Sequence, residues 1–194
     1  MDVESYLPDF NEYGNIPSGC HSCSLDNFKN VFVNSFKESV SRKSRFDGFL
    51  KYSKHICENL DYDIKFIING SYTTTKLNPN DIDFLIVFNI SKISNEEYDF
   101  TIKEYEKQKY LNIQRHAIMD LVNDGLIDIN DTYCCDWYPL YQRNRDDNGY
   151  DEYLEDKKYW LKCWGMSRKD NNGIAHPKGL IVLELNSKIL EGFK

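Results

Sequence analysis

From Ser24 onward the chain switches between two hydrophobic periods. Leu25, Phe28, Phe32 and Phe36 recur at spacings of three and four, which predicts a helix with Ser24 as its N-cap. Phe46, Phe49, Leu50, Ser53, Cys57 and Leu60 continue the pattern and predict a second helix. The period then changes. Ile64-Lys65-Phe66-Ile67-Ile68 and Phe84-Leu85-Ile86-Val87-Phe88 are apolar runs of strand length, the first bounded by Asn69-Gly70. Asn95 to Gln108 is charged and reads as helix. Ile113, Ala117, Ile118 and Leu121 mark the apolar face of another helix, which Gly125 stops. Thr132 to Tyr138 is a β-prone run ending at Pro139. Tyr141 to Gly149 is polar and reads as a mobile loop, and residues 150–164 as an acidic, aromatic helix ending at Gly165. Pro177-Lys178-Gly179 introduces Leu180-Ile181-Val182-Leu183, a last strand or apolar helix turn. Before Ser24, Pro8, Gly14, Pro17 and Gly19 break any period, so residues 1–23 read as irregular.

This order predicts an α/β (α+β) fold, a small mixed sheet packed by helices with an N-terminal helical extension. A chain of 194 residues suits one domain over 1–194. Residues 1–60 form the extension and its helices, 61–140 the core, and 141–194 a C-terminal helix and strand.

Charge and cysteine usage narrow the function. The net charge of −7 disfavours a long nucleic-acid template, whose binding rests on Lys and Arg neutralising phosphates. The densest basic patch, Arg42-Lys43-Ser44-Arg45, is small and reads as the start of a solvated helix face. No run approaches the ~18 apolar residues of a membrane span. The acidic start, Met1-Asp2-Val3-Glu4, lacks the pattern of a signal peptide, so a cytoplasmic protein without membrane contact is expected. Six cysteines fit that compartment as free thiols. Cys20 and Cys23 form a C-x-x-C around His21, but Cys57, Cys134, Cys135 and Cys163 supply no second pair for zinc. His55 and His116 read as helix-surface positions without a role.

The chemistry concentrates between the first two strands. Gly70 and Ser71 sit on the turn leaving one strand, and Asp81 and Asp83 open the next. Residues i and i+2 of a strand share a face, about 6.6 Å apart. Two carboxylates so placed can share a pair of divalent cations, and Mg²⁺ favours one or two carboxylates together with phosphate oxygens. Glycine lets the backbone approach a phosphate, and a short helix opening at Ser71 aims N–H groups at it. A triphosphate would lie between that cradle and the metals, which is the arrangement of phosphoryl transfer. The plainer alternative, an acidic strand start capping a β-turn, does not explain the joint pattern.

Gly70-Ser71 with Asp81-Ile82-Asp83 ten positions on resembles the signature of the DNA polymerase β-like nucleotidyltransferases. The resemblance implies that family's core, and a third carboxylate on a later strand. Asp136 is the candidate, as a metal ligand or the acceptor of the attacking hydroxyl's proton. The implied catalytic and metal-binding set is thus Asp81, Asp83 and Asp136, with two Mg²⁺ or Mn²⁺ ions. The implied nucleotide-binding set is Gly70, Ser71, Lys76, Arg168 and Lys178. Many members carry a second glycine four residues after the serine; this chain has Thr75 there, followed by Lys76. The stretch Phe10 to His21 and the motif Arg168 with Pro177-Lys178-Gly179 resemble a compact bacterial branch, similar to the synthetases of the Hailong phage-defence systems. That implies an NTP or dNTP substrate, short nucleotide oligomers made without a template, and a protein partner that responds to them. Tyr150, Tyr153 or Tyr159 offers a self-priming acceptor, against the plainer role of packing a helix. The alternatives are an antitoxin that transfers AMP to a partner toxin, and an inactive nucleotide-binding module.

Overall fold

The computed structural model describes residues 6–60, 62–107 and 135–193. The helix expected around Ile113, His116, Ala117, Ile118 and Leu121, its stop at Gly125, and the strand start at Thr132 to Cys134 lie outside them.

Five strands form one mixed sheet: β1 (Cys20–Ser22), β2 (Ile64–Asn69), β3 (Ile82–Asn89), β4 (Cys135–Gln142) and β5 (Leu180–Leu185), in the order β1-β5-β2-β3-β4. β2 runs antiparallel to β3 and to β5, while β1 is parallel to β5 and β4 is parallel to β3. The helices are α1 (Leu25–Lys29), α2 (Arg42–Glu58), α3 (residues 95–107), α4 (Tyr150–Trp164) and α5 (Ser187–Gly192). The expected mixed α/β class holds.

The pleat sorts the side chains into two layers. Ile64, Phe66 and Ile68 on β2, with Ile82, Phe84, Ile86 and Phe88 on β3, are fully buried. They pack in one core with Phe28, Phe32, Phe46, Phe49 and Ile56 of the N-terminal helical region. The intervening residues Leu85 and Val87, with Leu140, face α4 through Tyr153, Trp160 and Trp164. Asp83 shares the period of Leu85 and Val87, and Asp136 that of Tyr138 and Leu140. Both carboxylates therefore belong to the thinner, α4-facing layer, near its open end.

Several expectations need correction. Residues 1–23 are not wholly irregular, because Cys20–Ser22 pairs with Leu180–Val182 as a short edge strand. Ser24 does cap α1, accepting from the Asn27 N–H at 3.1 Å. But α1 passes into a π-helical turn over Asn30–Asn34 and stops, so Phe36 lies beyond the helix. β4 does not end at Pro139 but continues to Gln142, taking Tyr141 and Gln142 out of the expected loop. Proline is tolerated there because β4 is a sheet edge among the described strands. α5 follows β5, where the sequence pattern predicts no helix. Arg42 is not solvated: it is 0% exposed. The expected helix over residues 150–164 is present as α4, which carries Tyr150, Tyr153 and Tyr159, and Tyr153 packs into the α4-facing cluster. Among the described residues no helix is long and apolar enough to cross a membrane.

Candidate active site

The site is built where β2 ends. Asn69 closes the strand and its side-chain amide donates to the Trp164 carbonyl at 2.6 Å, fastening the end of α4. Its Oδ1 accepts from the Gly70 N–H at 2.6 Å. Gly70 adopts φ 74° and ψ −164°. A side chain here would meet two penalties, since this backbone region is nearly reserved for glycine and a Cβ would fall inside the Asp83 carboxylate. A 3-10 turn then runs over Ser71–Thr73, as the sequence predicts in outline.

Arg42 holds that turn from behind. Its Nη1 donates to the carbonyls of Phe32 at 2.9 Å and Tyr72 at 2.8 Å, and its Nη2 to those of Thr74 and Lys76 at 2.6 Å each. The guanidinium lies 3.7 Å from the Phe36 ring centroid. The Tyr72 hydroxyl donates back to the Arg42 carbonyl at 2.8 Å. Burial lowers the Arg42 pKa to about 10, which leaves it charged at neutral pH. Its planar fork of donors suits such a set of carbonyls better than a lysine would. From the other side, the Gly14 carbonyl accepts from the Thr75 N–H at 2.9 Å.

Register brings the carboxylates together. Asp83 lies opposite Asp136 across the parallel β3–β4 pair, and Asp81 sits one same-face step before Asp83. Each of Asp81, Asp83 and Asp136 offers an oxygen within 4.8 Å of the other two. Burial, then the charges of Asp81 and Asp136, pushes Asp83 up to about 6, while Lys178 and Arg168 oppose the rise. Lys178 is itself buried, and desolvation brings it down to about 8 against the pull of Asp83. Its Nζ donates to the Gly70 carbonyl at 2.9 Å.

A cleft of about 780 Å³ opens over these groups, lined by Gly70, Ser71, Lys76, Asp81, Asp83, Arg168 and Lys178. All expected nucleotide-binding residues therefore reach one cavity. Lys76 and Arg168 are exposed within it, whereas Lys178 is held at the turn. Asp136 joins the acidic cluster from β4 without lining the cleft.

Residues 8–184 match the family described as Family of unknown function (DUF6932). The chain belongs to that family. No curated protein and no solved structure matches it. The DUF6932 span takes in every residue of the cleft lining and all three carboxylates.

Sequence reasoning missed Asn69, Arg42, and Tyr13 and His176 of the cleft lining. Asn69 had a local signal, an amide directly before the turn glycine at a strand end. Arg42 had none, because a charged residue at a helix start ordinarily faces water. Cys20, Cys23, Cys57, Cys135 and Cys163 are free thiols, in keeping with the expectation, and burial raises Cys23 to about 12.

Proposed function

We propose that the protein is a metal-dependent nucleotidyltransferase of the DNA polymerase β-like kind, moving a nucleoside monophosphate from an NTP or dNTP onto a hydroxyl. The observation that carries this reading is the convergence of Asp81, Asp83 and Asp136 within 4.8 Å beside the Gly70–Ser71 turn. Such a donor set suits divalent cations. The oxygens are hard ligands, and a Mg²⁺ or Mn²⁺ pair would relieve the repulsion from Asp81 and Asp136 that, after burial, raises Asp83. Bound there, the ions would offset phosphate charge and make the acceptor hydroxyl easier to ionise.

The chain's own residues supply the remainder. Ser71 and the adjoining backbone hold the triphosphate against the turn that Arg42 braces. Lys76, Arg168 and Lys178, which line the cleft, would offset the charge of the departing pyrophosphate. The acceptor oxygen bonds to the α-phosphorus as the bond to the bridging oxygen breaks, and pyrophosphate leaves with that electron pair. Asp136 would hold a metal ion or take the acceptor's proton.

A net charge of −7 supports a small acceptor rather than a long template. The reading extends to the compact phage-defence branch and its short oligomer products, whose two resembling motifs meet at one turn. Gly14, within the Phe10 to His21 stretch, bonds Thr75, and Lys178 of the closing motif bonds Gly70. Both flanking motifs thus pack on the same turn. Incubation with each ribo- and deoxyribonucleoside triphosphate and Mg²⁺ or Mn²⁺, followed by mass analysis, tests the reading. A nucleotidylated product and released pyrophosphate are expected, and both should vanish in Asp81→Asn. Failure of every nucleotide to give either product rejects transfer.

A further inference from the structure

The cleft also carries an aromatic pair that the transfer chemistry leaves unused. The Tyr13 ring stacks on the His176 imidazole, with centroids 3.7 Å apart and planes 13° from parallel. Both residues line the same cleft as Asp81, Asp83 and Ser71. Tyr13 remains 52% exposed, whereas the His176 side chain is only 16% exposed. The tyrosine therefore presents the open surface and the histidine backs it.

The pair is held rigidly from both sides. Asn11 builds the turn beneath Tyr13: its Oδ1 accepts from the N–H groups of Tyr13 at 3.1 Å and Asn15 at 3.0 Å. The next residue, Gly14, bonds the Thr75 N–H and so ties this turn to the Ser71–Lys76 segment. The His176 Nε2 lies 3.1 Å from Asp170 Oδ2, and Asp170 Oδ1 accepts from the N–H groups of Asn172 and Ile174. Ser167 pairs with the His176 backbone in both directions. An exposed aromatic ring, fixed by a dedicated turn at the edge of a polar cleft, is a surface for a planar partner. Stacking of a base on an aromatic ring is favourable and tolerant of base identity, since each base offers a π-face.

We propose that Tyr13, backed by His176 and Asp170, is the stacking platform for a nucleobase whose phosphates lie at the Gly70–Ser71 turn. This rests on the nucleotidyl-transfer reading and specifies what Tyr13 and His176 of that cleft bind. It also assigns the N-terminal turn a contact with substrate. The plainer alternative is that the stack only fastens the N-terminal turn to the segment before β5.

Titration calorimetry with α,β-methylene nucleoside triphosphates and Mg²⁺, beside inorganic tripolyphosphate and Mg²⁺, separates these. Tyr13→Ala should weaken the nucleotide by about ten- to hundredfold and leave tripolyphosphate unchanged, with Tyr13→Phe close to the unaltered protein. His176→Ala should weaken the nucleotide by a smaller factor. Equal nucleotide affinity in Tyr13→Ala overturns the platform and leaves the transfer reading standing. A parallel fall for tripolyphosphate also overturns it, because Tyr13 would then be shaping the cleft rather than stacking. If the unaltered protein binds no nucleotide at all, the transfer reading fails and the platform with it.

Discussion

Asp83 and Asp136 face each other in register across two parallel strands, each on the α4-facing side of the sheet. Burial first, and then repulsion from the neighbouring Asp81 and Asp136 carboxylates, raises the Asp83 pKa to about 6. A raised carboxyl pKa means that the folded state holds its proton more tightly than the unfolded chain. Stability contributed at this position therefore falls as pH rises between about 4 and 6. Asp83→Asn should remove that loss. At pH 7 the variant should be more stable by up to about 3 kcal/mol, and its stability should change less with pH across that window. Chemical denaturation at pH 4.5 and 7 checks both, while nucleotide transfer should be abolished.

Divalent cation should reverse the same repulsion. Mn²⁺ or Mg²⁺ should raise the melting temperature at pH 7.5, and the gain should shrink as pH falls through about 6, where protons compete for Asp83. Asp81→Asn and Asp136→Asn should each blunt the gain. Scanning calorimetry with and without Mn²⁺ reads it, and an equal gain in all variants would place the ions elsewhere.

Arg42 should matter more to stability than its place in a basic patch suggests. Removing it strands four backbone carbonyls. Arg42→Met should cost about 3–5 kcal/mol in urea unfolding, and Arg42→Lys should recover only part, because one ammonium cannot span that fork.

Gly70→Ala should impair folding and transfer together. The strain of φ 74° and the collision with Asp83 both apply. The two sites are coupled, so the stability cost of Gly70→Ala, about 1–3 kcal/mol, should be smaller in an Asp83→Ala background. A double-mutant cycle measures the difference, and strict additivity would deny the contact.

What the sequence determined by itself was local. The three- and four-residue spacing of Leu25, Phe28 and Phe32, the strand runs at Ile64 and Phe84, and the shared face of Asp81 and Asp83 follow from backbone periods that act within a few residues. So does the glycine at the turn, since its conformation is set by its own dihedrals. What only the tertiary structure decided was which distant pieces meet. Pro139 reads as a strand end until the sheet order puts β4 at an edge, where a missing donor is tolerated. Arg42 reads as solvated until the carbonyls of residues 32, 72, 74 and 76 converge on it. Asp136 is an isolated acid in an aromatic run until the β3–β4 register sets it against Asp83. The Tyr13–His176 stack joins residues from opposite ends of the chain. Strand order, register and burial are set by packing the whole core at once, and no local period carries that information.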